Sequence, residues 1–170
     1  INQIQANIAT KTCPVSVNMT ANHAPVVSAV NNYTIPISTP FALTASANDA
    51  ENDPLTYCWE QHDNSTTNGS SSIAYPTKTT GPNWLSFPPE SSGTRTFPQL
   101  STILNGLLVT PPLPGGDAGA NIETLSSVSR TLNFRVTVRD NHPYNPGSTI
   151  GQTAFTEAIV TVTNSSGPFA

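Results

Sequence analysis

The sequence predicts an all-β fold, namely an immunoglobulin-like antiparallel β-sandwich with a long irregular insertion that contains at most a short helix. Three observations support this prediction. Of the 170 residues, 24 are Thr, 18 are Ser and 17 are Asn, and 16 Pro and ten Gly interrupt the chain often. Several segments alternate apolar and polar residues with the period of a half-buried strand. Turn-forming residues separate these segments at short intervals, as in β-sandwiches.

Composition also excludes several classes of protein. The chain has only six Lys and Arg, too few for the basic patch that binding to nucleic acid requires. No apolar run approaches the length of about 18 residues that a membrane-spanning helix needs. Charged residues make up 9% of the chain, against about 25% in an average domain, and helix-favouring residues do not dominate. We therefore expect no nucleic-acid partner, no membrane span and no helical bundle.

Six segments carry strand signals. Alternation is clearest in residues 130–139, where every second residue is apolar, and in residues 41–47 (FALTASA). In residues 55–61 (LTYCWEQ), Trp59 shares a face with Leu55 and Tyr57, so we expect its ring to lie in the core. The six predicted strands lie at 24–30, 33–37, 41–47, 55–61, 130–139 and 152–163.

The segment between residues 63 and 127 shows little periodicity and forms the predicted insertion. It contains a polar run at 64–72 and a Pro- and Gly-rich run at 111–120, both typical of loops. Residues 97–105 (FPQLSTILN) favour one helical turn, because Pro98 suits its first position and Leu100, Ile103 and Leu104 fall on one side.

Residues 1–23 are predicted to be a tail or linker from a preceding domain, and residues 24–170 the β-sandwich domain. Ile1, Ile4 and Ile8 have the spacing of one face of a short helix, while a frayed terminus fits equally well. No signal-peptide pattern is visible at the first residues, so we expect the chain to be a processed or excised product.

Cys13 and Cys58 are the only two cysteines. An even count in a charge-poor chain rich in Thr and Asn favours an exported protein with a disulfide between them. The alternative is two reduced thiols. Neither cysteine belongs to a Cys/His cluster, so we expect no zinc in this chain.

The densest chemistry lies in residues 48–54 (NDAENDP), where three of the ten carboxylates occupy one predicted turn. Asp49, Glu51 and Asp53 alternate along it, and Asp140 ends a predicted strand whose loop can reach the same end of a sandwich. Calcium takes six to eight oxygen ligands on flexible loops, so these four residues form a candidate calcium site. The alternative is that Asp and Asn side chains only cap a tight turn. The spacing does not match an EF-hand loop.

No catalytic motif appears. The three histidines, His23, His62 and His142, lack the spacing of a zinc-peptidase helix, and no nucleophile elbow or phosphate-binding loop is present. We therefore expect no enzyme in this chain. Trp84 and Tyr144 are candidate aromatics for a carbohydrate ligand, although Trp84 could instead pack inward as a plug.

Four segments together resemble a known module. In this order they are similar to the module that follows the catalytic domain of secreted reprolysin-like metallopeptidases of Bacteroidetes. The four segments are TIPISTPFALTASANDAENDPLTYCWEQHD, GPNWLSFPP, RTFPQLSTILN and SRTLNFRVTVRDN. LTYCWEQ and LNFRVTVRDN are the most specific of these strings. The resemblance implies a non-catalytic immunoglobulin-like domain whose zinc-binding HExxHxxGxxH motif lies upstream, so no catalytic residue can be carried over.

The acidic turn also resembles the D-x-D-x-D-x-L-T-Y turn of calcium-binding cadherin-like bacterial repeats. Here Glu51 replaces the usual central Asp and Asn52 the usual Gly. The resulting hypothesis is an exported accessory module of a metallopeptidase, at the cell surface or outside the cell, with calcium as its stabilising ion and the upstream peptidase domain as its partner. The alternatives are a self-associating adhesive or filament-forming surface module and a carbohydrate-binding module with a surface ligand.

Overall fold

The computed structural model describes residues 2–12, 19–64, 73–111 and 121–166. Strands dominate this part of the chain and helices are few, which confirms the predicted all-β class. The elements, in chain order, are α1 (Asn2–Ala9), β1 (Val26–Val27), β2 (Tyr33–Pro36), β3 (Phe41–Thr44), β4 (Ala47–Asn48), β5 (Thr56–Gln61), β6 (Thr94–Phe97), α2 (Leu100–Leu104), β7 (Val109–Thr110), β8 (Glu123–Thr124), β9 (Arg130–Arg139) and β10 (Thr153–Thr163).

The largest sheet has four strands in the order β2-β10-β9-β5. β9 pairs antiparallel with both β10 and β5. β2 instead pairs parallel with β10, with Val160 opposite Tyr33, so the sheet is mixed rather than wholly antiparallel. A parallel pair needs a long connection, and most of the chain lies between these two strands.

The structure confirms the alternation of apolar and polar residues predicted for 130–139. Leu132, Phe134, Val136 and Val138 are all buried, and Ala158, Val160 and Val162 of β10 face the same side. Because both strands bury every second residue, one face of the sheet packs against the core and the other faces solvent.

Short strands cover the inner face. β3 pairs with β6, and β1 pairs with β4. Phe97 of β6 stacks on Phe41 of β3 with ring centroids 5.0 Å apart, and it also contacts Phe134 of β9 at 4.7 Å. Trp84 packs edge-on against Phe41 and Phe97, at 5.8 and 5.4 Å. The inward plug expected as an alternative for Trp84 is therefore the arrangement found.

The predicted insertion contributes more regular structure than its sequence indicates. It supplies β6, β7, β8 and α2, and α2 is the short helix expected within 97–105. Strand β6 lacks a clear apolar alternation, because Arg95 occupies an inward position beside Phe97. Fully buried Glu123 of β8 pairs with it, with 2.9 Å between Arg95 Nη2 and Glu123 Oε1. The buried pair thus replaces an apolar contact at this point in the core.

The N-terminal Ile spacing does form a helix, since α1 spans Asn2–Ala9, and the side chains of Ile4 and Ile8 are exposed on it. Within the described ranges, no helix is long and apolar enough to cross a membrane.

Candidate functional site

The acidic turn lies between β4 and β5 and is organised around Asp49. The backbone N–H groups of Glu51 and Asp53 both donate to Asp49 Oδ1 at 3.0 Å. Asn52 has φ of +63°, a left-handed conformation that Asn tolerates better than most residues, and this reverses the chain. The Asp49 side chain therefore caps the turn, as expected in the alternative to metal binding. Both of these hydrogen bonds go to Oδ1, so the turn does not use Oδ2.

Three of the four predicted ligands converge. One ligand oxygen from each of Asp49, Glu51 and Asp53 lies within 4.8 Å of the other two, and all three residues are half-buried. Asp49 Oδ2 is buried and has no hydrogen-bond partner among the described residues. A buried carboxylate oxygen without a partner is costly, so a cation here would satisfy an acceptor that the turn itself leaves unsatisfied.

Histidines, rather than Lys or Arg, flank this cluster. His23 Nδ1 lies 2.7 Å from Glu51 Oε1, and His142 Nδ1 lies 2.6 Å from Asp53 Oδ2. The hydrogen bond from His23 lowers the pKa of Glu51, opposing a smaller effect of burial that raises it. No Lys or Arg forms an ion pair with the turn in the ranges that the structure covers, so most of its negative charge is not balanced by a fixed cation.

Asp140 is fully buried next to the cluster but is not one of the converging ligands. Its oxygens accept hydrogen bonds from Asn22 Nδ2 at 2.6 Å and from the backbone N–H groups of His142 and Gln152, at 3.1 and 2.9 Å. Gly151 leaves room for this carboxylate, since a Cβ there would lie 3.2 Å from Asp140 Oδ1. The structure thus shows Asp140 positioning the loop after β9, and its direct ligation of a metal stays a prediction.

The two loops meet at one end of the main sheet, as predicted. Asn141, at φ of +52°, donates from Nδ2 to the carbonyl of Pro54 at 2.8 Å and also contacts Thr56 Oγ1 at 3.1 Å. This contact holds the loop after β9 against the start of β5, and it brings His142 to Asp53.

Sequence reasoning missed Asn22 and His23. It assigned both to the tail, yet Asn22 is 4% exposed and its side chain ties Asp140 to the carbonyl of Ile150 at 3.1 Å. Its Oδ1 is buried without a partner among the described residues, and the next residue, His23, is the one that bonds to Glu51 of the turn. No spacing rule marks these residues, because they approach the turn only through the tertiary fold.

Cys13, the predicted disulfide partner of Cys58, lies outside the described residues. Cys58 is buried, and its Sγ donates to the carbonyl oxygen of Phe87 at 3.4 Å. Burial raises the pKa of this thiol, and the nearby Glu60 carboxylate raises it further. The disulfide stays a prediction.

Of the candidate sugar-binding aromatics, Trp84 is buried in the core and offers no exposed ring face. Tyr144 is 63% exposed in the loop after β9. The two rings therefore do not form a common platform of the kind that stacking on a saccharide requires.

Comparison with known proteins adds no assignment, since no family model matches the chain and no curated protein matches its sequence. The chemistry of the site is then read from its donors. The carboxylate oxygens of Asp49, Glu51 and Asp53 are hard ligands that suit calcium better than the soft metals bound by thiolates.

Proposed function

We propose that this chain is a non-catalytic, calcium-stabilised immunoglobulin-like module of an exported protein. The observation that carries the proposal is the convergence of Asp49, Glu51 and Asp53 around a buried carboxylate oxygen that has no partner among the described residues. In this role the module is a rigid structural part, and the cation closes the end of the main sheet where its loops meet.

The strand order supports an immunoglobulin-like sandwich. In that fold the third, sixth and seventh strands form one sheet, and a buried Trp lies on the third. The neighbours β5, β9 and β10 have this order, and buried Trp59 lies on β5. The pairs β1–β4 and β3–β6 correspond to the facing sheet, and their side chains share a single core with β5, β9 and β10.

Calcium is favoured over other cations by charge and geometry. Two carboxylates about 4 Å apart repel each other by about 1–4 kcal/mol in a solvent-exposed to half-buried setting, and a divalent ion removes this repulsion. Calcium also accepts irregular coordination by carboxylate and amide oxygens, whereas magnesium demands a near-ideal octahedron. Asp49, Glu51 and Asp53 would hold it.

The wider role follows from the resemblance described above. We propose that the module follows the catalytic domain of a reprolysin-like metallopeptidase outside the cell or at its surface, and orients that domain or its substrate. The coding sequence upstream of Ile1 tests this, because an HExxHxxGxxH motif there is expected. A gene without such a motif would remove the peptidase assignment and leave the calcium site to be judged separately.

Thermal unfolding tests the cation. At a calcium concentration 100 times the Kd, binding adds about 2.7 kcal/mol to the free energy of unfolding, which raises Tm by about 5–10 °C in a chain of this size. We expect this rise with calcium, a much smaller one with magnesium, and none for Asp53→Asn.

The matched control is Glu90→Gln, which removes an exposed carboxylate outside the turn and is expected to keep the full response to calcium. An equal Tm in calcium and in chelator for the unmodified chain would refute the site. A response to zinc that exceeds the response to calcium would assign the site to His23 and His142 instead.

A further inference from the structure

A second candidate site lies on the open side of the molecule, between the edges of β5 and β6. It is a groove of about 570 Å³, a volume typical of ligand sites. Its lining shares no residue with the acidic turn. The residues are Tyr57, Cys58, Trp59, Phe87, Pro88, Glu90, Ser92, Thr94, Arg95, Thr96, Gln99 and Leu100.

Both walls of the groove are strand edges. β6 pairs only with β3 in the described sheets, and β5 ends the four-stranded sheet, with one isolated bridge from Tyr57 to Glu90 beyond it. Such edges present backbone N–H and C=O groups that another strand can pair with.

The register shows which backbone groups point into the groove. Ala45 N–H donates to the Gly93 carbonyl, so hydrogen-bonded pairs of the β3–β6 ladder fall at Arg95 and Phe97. The N–H and C=O of Thr94 and Thr96 therefore point away from β3. Ser92 Oγ already bonds to both backbone groups of Thr94, at 3.2 and 3.4 Å. Among the described residues, Thr96 is then the position of β6 whose backbone groups are open to a partner.

The other wall offers a matching group. Tyr57 exchanges backbone hydrogen bonds with Glu90, so the alternate residue Trp59 also turns its backbone away from β9 and towards the groove. The Trp59 carbonyl accepts a hydrogen bond from Arg95 Nη1 at 2.6 Å, and its N–H faces the same side.

The charges indicate which partner fits. The guanidinium of Arg95 is paired with Glu123 and lies over the ring of Phe87 at 4.5 Å. Its positive charge is therefore already balanced, and an anionic group on the partner is not required. The exposed carboxylate of Glu90 forms no ion pair with any described residue, so it is a negative charge of the lining that a basic side chain of a partner can approach. Leu100 is 55% exposed and, with Pro88, provides apolar surface.

We propose that this groove binds an extended peptide of about four residues, which pairs with the edge of β6 and carries one basic and one apolar side chain. Its backbone bonds to Thr96, its cation lies near Glu90, and its apolar side chain packs on Pro88 and Leu100. A saccharide fits less well, because the ring of Trp59 is buried and one face of Phe87 is covered by Arg95.

The experiment is a titration of the ¹⁵N-labelled chain with the peptide acetyl-Val-Thr-Lys-Thr-Leu-Thr-amide, followed by amide chemical shifts in the presence of EDTA. The chelator makes the result independent of the cation site. We expect saturable shifts at Thr96 and Trp59. Absence of shifts at millimolar peptide, shifts confined to other surfaces, or groove shifts with cellohexaose but not with the peptide would overturn the proposal.

Three variants sharpen the test. Thr96→Pro removes the N–H that points into the groove and is expected to weaken binding about 3- to 10-fold, the effect of one hydrogen bond. The control, Ala42→Pro, removes the N–H on the outer edge of β3 and should bind normally, and an equal loss in both would contradict the assignment. Should Thr96→Pro not fold, Glu90→Lys decides: it should weaken the Lys peptide and strengthen the same peptide with Glu in place of Lys, and unchanged preference would refute the charge argument.

Discussion

Among the described residues, buried Glu123 and the acidic turn are surrounded in opposite ways. Fully buried Glu123 receives hydrogen bonds from Arg95 at 2.9 Å, from the N–H of Gln99 at 2.9 Å and from the hydroxyl of Thr110 at 2.9 Å. The acidic turn instead gathers three carboxylates within 4.8 Å, and only histidines pair with it in the described ranges. The charge of Glu123 is balanced by neighbouring residues, whereas the acidic turn keeps negative charge that a bound cation can balance.

The difference shows how a chain with only six Lys and Arg distributes them. Arg95 is used inside, where it joins β6 to β5 and β8 and its loss would leave a buried charge. None forms an ion pair with the turn in the described part of the chain. The turn is held by backbone hydrogen bonds to Asp49, so its fold does not depend on neutralising the three charges, and its stability can respond to a cation.

The largest expected effect tests the surroundings of Glu123. Glu123→Gln removes the charge that compensates buried Arg95, and breaking such a buried pair costs about 3–5 kcal/mol of unfolding free energy. Urea unfolding measures it. Glu157→Gln is the control, because its pair with Arg135, at 2.6 Å, is exposed and is expected to contribute less than about 1 kcal/mol. Equal losses in the two variants would show that burial does not separate these ion pairs.

An intermediate effect tests the acidic turn. Asn at position 49 can still accept both backbone hydrogen bonds, so in EDTA Asp49→Asn should change the unfolding free energy by less than about 1 kcal/mol. In saturating calcium the variant should lack the increment of about 2–3 kcal/mol that the unmodified chain gains. A large loss in EDTA would mean that the turn, like the Glu123 cluster, depends on its charge for folding.

The smallest effect concerns pH. Because the hydrogen bond from His23 lowers the pKa of Glu51 in the folded chain, this bond stabilises the fold above the ordinary Glu pKa, and the contribution is lost as pH falls through the lowered value. Tm measured from about pH 7 to about pH 3 should therefore fall less steeply for Glu51→Gln than for the unmodified chain. Superimposable curves would contradict the role of this contact.

Much of the fold could be predicted wherever a strand buries one face. The alternation of Leu132, Phe134, Val136 and Val138 predicted both β9 and its inward side, and Trp59 was correctly predicted to be buried. β6 was not predicted, because Arg95 stands at an inward position and only the distant Glu123 makes that burial favourable. The parallel pairing of β2 with β10 was also missed, since strand patterns do not encode the direction of pairing.

The candidate site divides in the same way. Asp49, Glu51 and Asp53 were found because they alternate within one short turn, and local spacing brings their oxygens together. His23 and His142 were assigned no role as contacts of that turn, and they reach it from chain positions far from it.

The sequence by itself determined the all-β class, the inward faces of the long strands and the acidic turn, because each depends on residues a few positions apart. Only the tertiary structure decided that Arg95 and Glu123 form a buried pair, that Asp140 is enclosed by Asn22 and Gln152, and that β5 and β6 leave a groove between their edges. These features depend on distances between residues far apart in the chain, and burial changes the energy of a charge only once those distances are set.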